Sequence, residues 1–307
     1  MSVGASIVNV MADWDEGERA ALIALLRRGD PYASIIESVI DAGGSARAVL
    51  GTDEGLFPIP HPELEVAEQD LAAWRAEGIG ITTFMDRDYP AQLREIQEMP
   101  PVLFWRGSLL PGDRAVSVVG TRRPTSEAIE YARAVAYGLV EAGVAVVAGL
   151  ALGVDTAAHE AALRSGGRTV AVIGTGIRRS YPAANTELQR LIGCEGLVLS
   201  QFWPDAPPTK RSFPMRNAIM SGYGRASIIV EAGETSGTRI QARLAVAHGR
   251  PAILSTSVAT GTSWGKALLG KPGVVIARDA ADAVELALKL SLPLANQIES
   301  LGLGLTG

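Results

Sequence analysis

The stretch from Arg114 to Asp155, RAVSVVGTRRPTSEAIEYARAVAYGLVEAGVAVVAGLALGVD, decides the fold. It opens on an apolar run at 115–119 and breaks at Gly120-Thr121-Arg122-Arg123-Pro124-Thr125. Helical spacing follows over 126–141, then a second apolar run at 144–148. Continuous Val and Ala runs, without polar alternation, describe strands covered on both faces, and a helix between them makes the connection parallel. The unit recurs. Apolar runs at 169–173, 197–200, 227–230, 251–254 and 274–277 are interleaved with helical segments at 154–164, 184–192, 215–222, 238–248 and 263–269. The alternation predicts an α/β fold with an extended Rossmann-like, mostly parallel, doubly wound sheet over 114–290.

Upstream the pattern differs. Leu22, Ile23, Leu25 and Leu26 follow an acidic start at Asp13, Asp15 and Glu16, which suits a helix N-terminus. Ile35, Ile36, Val39 and Ile40 have helical spacing after Pro31, and Gly43-Gly44-Ser45 reads as a C-cap followed by a new N-cap. Residues 1–55 are therefore expected to form a small, separate, all-helical domain. Residues 56–113 are expected to be a linker and lead-in, with prolines at 58, 60 and 62 and a helix over 63–77 stopped at Gly78. Residues 291–307 read as a tail.

At 307 residues and 47% hydrophobic, the chain has length and apolar content for a large core. A lone cysteine, Cys194, excludes an internal disulfide framework and a multi-cysteine zinc site, and it suits a reducing compartment. His61, His159 and His248 lack metal-ligand spacing, so no metal is expected. No apolar run reaches the ~18 residues of a membrane helix, and no leader pattern opens the chain, so a cytoplasmic protein is expected. The net charge of −5 conceals an asymmetry: residues 1–113 carry −11 and residues 114–250 carry +6. That pattern fits a central domain meeting an anion beside an acidic N-terminal part, or a solvated surface.

Open parallel sheets bind ligands beyond the carboxyl ends of their strands, so the loops after the strands are the places to look. Gly120 and Arg122 follow the first strand, where a glycine admits close approach and a guanidinium fork suits phosphate. The bland alternative is a tight turn with a solvent arginine. Gly149 to Gly153 lead into Asp155, which reads as a helix cap, and His159, which reads as a packed residue. Gly174-Thr175-Gly176 begins as GxG, but Arg179 stands where the dinucleotide fingerprint needs its third glycine, so no redox cofactor is expected. Tyr181-Pro182 and Asn185 follow.

Lys210, Arg211, Phe213, Arg216 and Asn217 crowd a helix entry. Cations that track phosphates beside an aromatic that stacks a base are the means by which single strands are held; otherwise Phe213 is a core plug. Ser236, Gly237 and Thr238 offer hydroxyls and amides at another helix start. Gly149, Gly174, Gly176, Ser236, Gly237 and Thr238 are thus secondary phosphate-loop candidates. Glu231 ends a strand and is expected to satisfy neighbouring loop amides.

Together, Val118 to Arg122, Gly149 to Asp155, Tyr181-Pro182, Phe213-Pro214-Met215-Arg216-Asn217 and Glu231-Ala232-Gly233 with Ser236-Gly237-Thr238 resemble the DNA-processing protein A (DprA/Smf) family. Asp88-Tyr89-Pro90 and Pro100 to Gly107 match the segment that leads into its main domain. The resemblance spans about 14–290. It implies a SAM-like helical domain before an extended Rossmann fold. It implies a homodimer that binds single-stranded DNA, protects incoming DNA in natural transformation and loads the RecA recombinase, with no catalytic turnover. It places the DNA-binding pocket on Gly120, Arg122, Lys210, Phe213, Arg216 and Asn217. The helix over 281–290 is a candidate dimer interface. Leu152 and Ala218 stand where the family usually has arginine, and Lys266 lies in a segment that usually carries asparagine. Weaker binding than in a typical member is expected, strengthened by an arginine at 218. The winged-helix domain that follows in many members is not expected in residues 291–307, which read as a tail. A competing reading is a nucleotide-binding or nucleotide-hydrolysing enzyme or sensor on the same fold; another is an interaction scaffold.

Overall fold

Trp14 anchors the first helices among the described residues, its indole N–H donating to the Gly44 carbonyl at 2.8 Å. The computed structural model describes residues 14–52 and 61–291. Helices α1 (Glu16–Arg27), α2 (Tyr32–Asp41), α3 (Ala46–Leu50) and α4 (Pro62–Ala76) come first. Asp15 caps α1, accepting from the Glu18 amide at 2.9 Å. Glu18 in turn accepts from the Ala46 amide at 2.7 Å and so ties α1 to the start of α3.

The strands are β1 (Gly80–Thr83), β2 (Val102–Gly107), β3 (Ala115–Val119), β4 (Ala145–Ala148), β5 (Thr169–Val172), β6 (Leu197–Ser200), β7 (Ser227–Ile229), β8 (Ala252–Ser255) and β9 (Val274–Ala277). Among the described residues they form a sheet of nine strands in the order β1-β2-β6-β5-β4-β3-β7-β8-β9. From β6 to β9 every pairing is parallel; β1 with β2, and β2 with β6, are antiparallel. The chain walks outward from β3 to β6, returns to lie beside β3 as β7, and walks outward the other way. The reversal falls between β3 and β7.

Helices α5 (Ser126–Glu141), α6 (Val154–Arg164), α7 (Thr186–Glu195), α8 (Ser212–Tyr223), α9 (Thr238–Ala247), α10 (Thr256–Gly261), α11 (Ser263–Leu268) and α12 (Ala280–Ser291) connect and flank the strands. Two apolar cores follow the period of two along the strands. Val116 and Val118 face one core with α5, α6 and α12; Ala115 and Val119 face the other with α8 and the N-terminal helices. Helix α5 shows how sequence sets this packing. Thr125 caps it at the Ala128 amide, and Ala128, Ala132, Val135, Ala136 and Leu139 recur at helical spacing on its buried face.

The mostly parallel α/β sheet and the N-terminal helices agree with the sequence reading. The boundaries differ. Residues 80–107, read as lead-in, supply two strands of the same sheet. The N-terminal helices are not separate. Leu22, Ile23, Leu71 and Trp74 share one core with Phe84, Phe104 and the strands behind them, and Trp74 meets Phe104 edge to face at 5.2 Å. Arg19 adds a bidentate bond to the buried Asp86, at 2.7 and 3.2 Å. The helix over 281–290, read as a dimer interface, turns Ala283 and Ala287 into the monomer's own core beside α5. The proline-rich stretch 55–60 and residues 292–307 lie outside the described residues. No helix of the described residues is long and apolar enough to cross a membrane.

His159 is packed, as expected. The Thr169 hydroxyl gives its hydrogen to the Val146 carbonyl, so His159 Nδ1 carries the proton in the 2.7 Å bond between them. Burial pushes its pKa down from 6.5 to about 3. The folded state therefore refuses a proton that the unfolded chain accepts, and stability contributed here falls as pH drops from about 6.5 toward 3. His159→Gln removes the titration. Its stability deficit against the wild type should shrink between pH 7 and 4.5, by up to about 1.4 kcal/mol per pH unit below the unfolded value. Denaturant titrations across that range read the gap, and a constant gap would contradict the assignment.

Candidate functional site

Where the carboxyl ends of β3 and β7 lie side by side, the departing loops part around a cleft of about 520 Å³. Chain reversal makes such a cleft the natural ligand site of an open parallel sheet. Its walls are the Gly120–Arg123 loop, the loop from Gly233 to Thr238, and the first turns of α8. A smaller cleft of about 90 Å³ adjoins it, lined by Gly149, Leu152, Gly174, Tyr181 and Pro182. Arg122, Phe213 and Arg216 line both and form the wall between them.

Reciprocal bonds set the entry of α8. The Ser212 amide donates to Thr209 Oγ1 at 3.0 Å, and the Thr209 amide donates to Ser212 Oγ at 3.1 Å. Pro214 lies in the first turn, where its missing N–H costs nothing. One turn on, Arg216 is carried into the interior and is 6% exposed. Its Nη1 donates to the Val172 carbonyl at 3.3 Å, while Nε has no partner. The counter-charge is Asp155, also buried, whose carboxylate accepts from the Gly149 and Ala151 amides at 2.9 and 3.3 Å. Burial raises the Asp155 pKa and lowers that of Arg216; attraction between the two opposes both shifts, and Arg122 pushes Arg216 down further. Asp155 thus holds the loop after β4, where the sequence suggested a helix cap. A Cβ on Gly149 would lie 1.1 Å from Arg216 Nη1, so only glycine leaves room for the guanidinium.

The exposed Arg122 lies over the Phe213 ring, its guanidinium carbon 5.4 Å from the centroid. Tyr181 adjoins the same ring, 5.7 Å from Phe213 and tilted by 44°. Asn217 Nδ2 reaches the Gly237 carbonyl at 3.5 Å, and the Thr238 hydroxyl donates to the Gly120 carbonyl at 3.1 Å. These bonds fix the loops after β3 and β7 to one another. Glu231 accepts from the Thr125 amide at 2.9 Å and satisfies a loop amide, as read from sequence. Leu150 holds a left-handed backbone at φ 57°, with its carbonyl bonded to Asn185 Nδ2 at 2.9 Å. Strain of that kind gathers where a loop must take one shape.

The structure thus brings Gly120, Arg122, Phe213, Arg216 and Asn217 around one cleft, with Ser236, Gly237 and Thr238 on its far wall and Gly149 and Gly174 on the smaller one. Two expected residues lie elsewhere. Lys210 is exposed before α8 and lines neither cleft. Gly176 donates its amide to the Ala206 carbonyl at 2.9 Å, and a Cβ there would lie 2.1 Å from the Trp203 carbonyl oxygen, so packing explains this glycine. Sequence reasoning quoted Tyr181 and Asn185 without giving either a role. Leu152 is exposed on the smaller cleft, but Ala218 is 2% exposed. The expectation that an arginine at 218 strengthens binding is therefore corrected: its charge would enter packed interior.

Gly149→Ala should force Arg216 out of its seat and lower stability by about 1–3 kcal/mol, the usual cost of overpacking. Ala218→Arg should be destabilising as well, because it buries an unpaired charge. Denaturant titration reads both, and a wild-type midpoint in either variant would refute the packing described.

Comparison with known proteins agrees on one family. The family model described as DNA recombination-mediator protein A matches residues 80–287. DNA processing protein DprA of Streptococcus pneumoniae is 44% identical over 169 residues, 55% of this chain and 60% of that protein. Protein Smf of Synechocystis is 42% identical over 168 residues, 52% of this chain and 42% of that protein. The matches thus span less than two thirds of either relative. Among solved structures, the X-ray structure of DNA processing protein A from Streptococcus pneumoniae is similar with a TM-score of 0.68 at 30% identity, covering 89% of this chain and 98% of that one. DNA processing protein A from Helicobacter pylori, in a structure described by its single-stranded DNA binding mode, is similar with a TM-score of 0.60 at 28% identity. It covers 68% of this chain and 96% of that one.

Proposed function

The chain belongs to the DNA recombination-mediator protein A family, and on that premise we propose that it binds single-stranded DNA in the paired clefts, as a mediator and not as an enzyme. The observation that carries this reading is the wall they share: a buried guanidinium on Arg216, an exposed one on Arg122, and the Phe213 ring between the two clefts, with Tyr181 beside it on the smaller one. Guanidiniums suit consecutive phosphates. Aromatic faces suit bases, and only unpaired bases present a face to them. Ser236, Gly237 and Thr238, at the start of α9, line the larger of the two clefts. The single-stranded DNA binding mode named for the Helicobacter pylori relative supports the reading.

The finer roles are part of the same proposal: protection of the strand, its transfer to the RecA recombinase as in natural transformation, and action as a cytoplasmic homodimer. A nucleotide-hydrolysing enzyme that activates water with a carboxylate would need that carboxylate free to take a proton. Asp155 is engaged by two loop amides and Glu231 by a third, which weighs against that alternative.

A salt series on a labelled oligothymidylate tests the reading. The logarithm of the affinity should fall with the logarithm of salt with a slope of several units, and a duplex of the same length should bind more weakly. Arg122→Ala should lower the slope by roughly one unit. Binding of mononucleotides as tight as that of the oligonucleotide, with no slope, would favour the nucleotide enzyme instead.

A further inference from the structure

Phe213 is the aromatic that sequence singles out for stacking, yet its surroundings leave it little open face. Arg122 covers it at 5.4 Å. Its edge packs so close to Gly174 that a Cβ there would lie 3.0 Å from Cδ1. Tyr181, 5.7 Å away at 44°, leaves no slot for a planar base between the two rings. The half-buried Phe213 is placed to support a neighbour.

Tyr181 is placed differently. It is 42% exposed at the mouth of the smaller cleft. Phe213 packs against it and Arg122 against Phe213, so cation and rings are in contact in that order, and Tyr181 is the exposed end. Leu152, also exposed, stands on the same cleft. An exposed aromatic with apolar surface beside it suits the flat outline of a nucleobase. Arg122 and Arg216, in the same wall, lie within reach of the flanking phosphates.

We infer that Tyr181 is the open base-stacking platform of the site, with Phe213 as its backing, and that the smaller cleft receives the edge of the stacked base. This inference rests on the reading of the paired clefts as a single-stranded DNA site.

The test uses the full chain and an oligothymidylate carrying a single 2-aminopurine, whose fluorescence is quenched when it stacks. Tyr181→Ala should abolish the quenching and weaken binding on the order of tenfold, in the range of one lost base–aromatic stack. Its salt slope should stay at the wild-type value. Tyr181→Phe should keep both quenching and affinity. Replacing the 2-aminopurine by an abasic site should make wild type and Tyr181→Ala bind alike, an equality that damage to the fold would not produce. If Tyr181→Ala keeps quenching and affinity while Arg122→Ala still lowers the salt slope, the platform is elsewhere and the single-stranded DNA reading stands. If the wild type shows no salt-dependent binding of the oligonucleotide, that reading falls and takes the inference with it.

Discussion

A guanidinium taken out of water beside a buried carboxylate governs this end of the molecule. Arg216 and Asp155 are each disfavoured as charges by burial and favoured by one another. The carboxylate is also satisfied by two amides, whereas the guanidinium has one bond to Val172 and an unpartnered Nε. The arrangement constrains its neighbours. A side chain at 149 would displace the guanidinium, the loop after β4 bends back onto Asp155, and Leu150 within it holds a left-handed backbone. A site that keeps an under-satisfied cation beside open space is arranged for an anion, and the stability it forgoes is supplied by the apolar cores on the two faces of the sheet.

The sheet turns this local arrangement into a site. The chain reverses between β3 and β7, so two loops with separate sequence origins open side by side, and α8 delivers Phe213, Arg216 and Asn217 between them. Thr238 and Asn217 then bond the two sides together through Gly120 and Gly237. Cation, ring and ring follow in order from Arg122 through Phe213 to Tyr181. Rigid elements fix the order, and the polar groups on the cleft are held by neighbours that do not themselves need to meet a ligand.

Most of the parallel sheet was legible because its strands are buried on both faces and read as unbroken Val, Ile and Ala runs. β1 and β2 were not. Gly80–Thr83 is half threonine, and Val102–Gly107 follows a pair of prolines; both lie on the antiparallel side, where no helix crossover marks them. The helices at the N-terminus were legible from spacing, but their union with the sheet rests on Trp74, Phe104 and Arg19 meeting partners distant in sequence. At the site, arginines and aromatics near strand ends were visible as residue types. That Lys210 lies outside the clefts' lining, that Ala218 is interior and that Gly176 serves packing depend on which way a helix or turn faces once it is packed. The electrostatic attraction between Arg216 and Asp155 had no signal in spacing, because α6 and α8 supply one residue each.

Binding of a single strand in the paired clefts at the β3–β7 reversal, through Arg122, Arg216 and the aromatic rings, is tested most directly by a crystal structure of the chain with a short oligothymidylate. Phosphate oxygens should lie within hydrogen-bond distance of the Arg122 and Arg216 guanidiniums, with a base against the aromatic pair. A strand bound on another face, with both clefts left open, would contradict it.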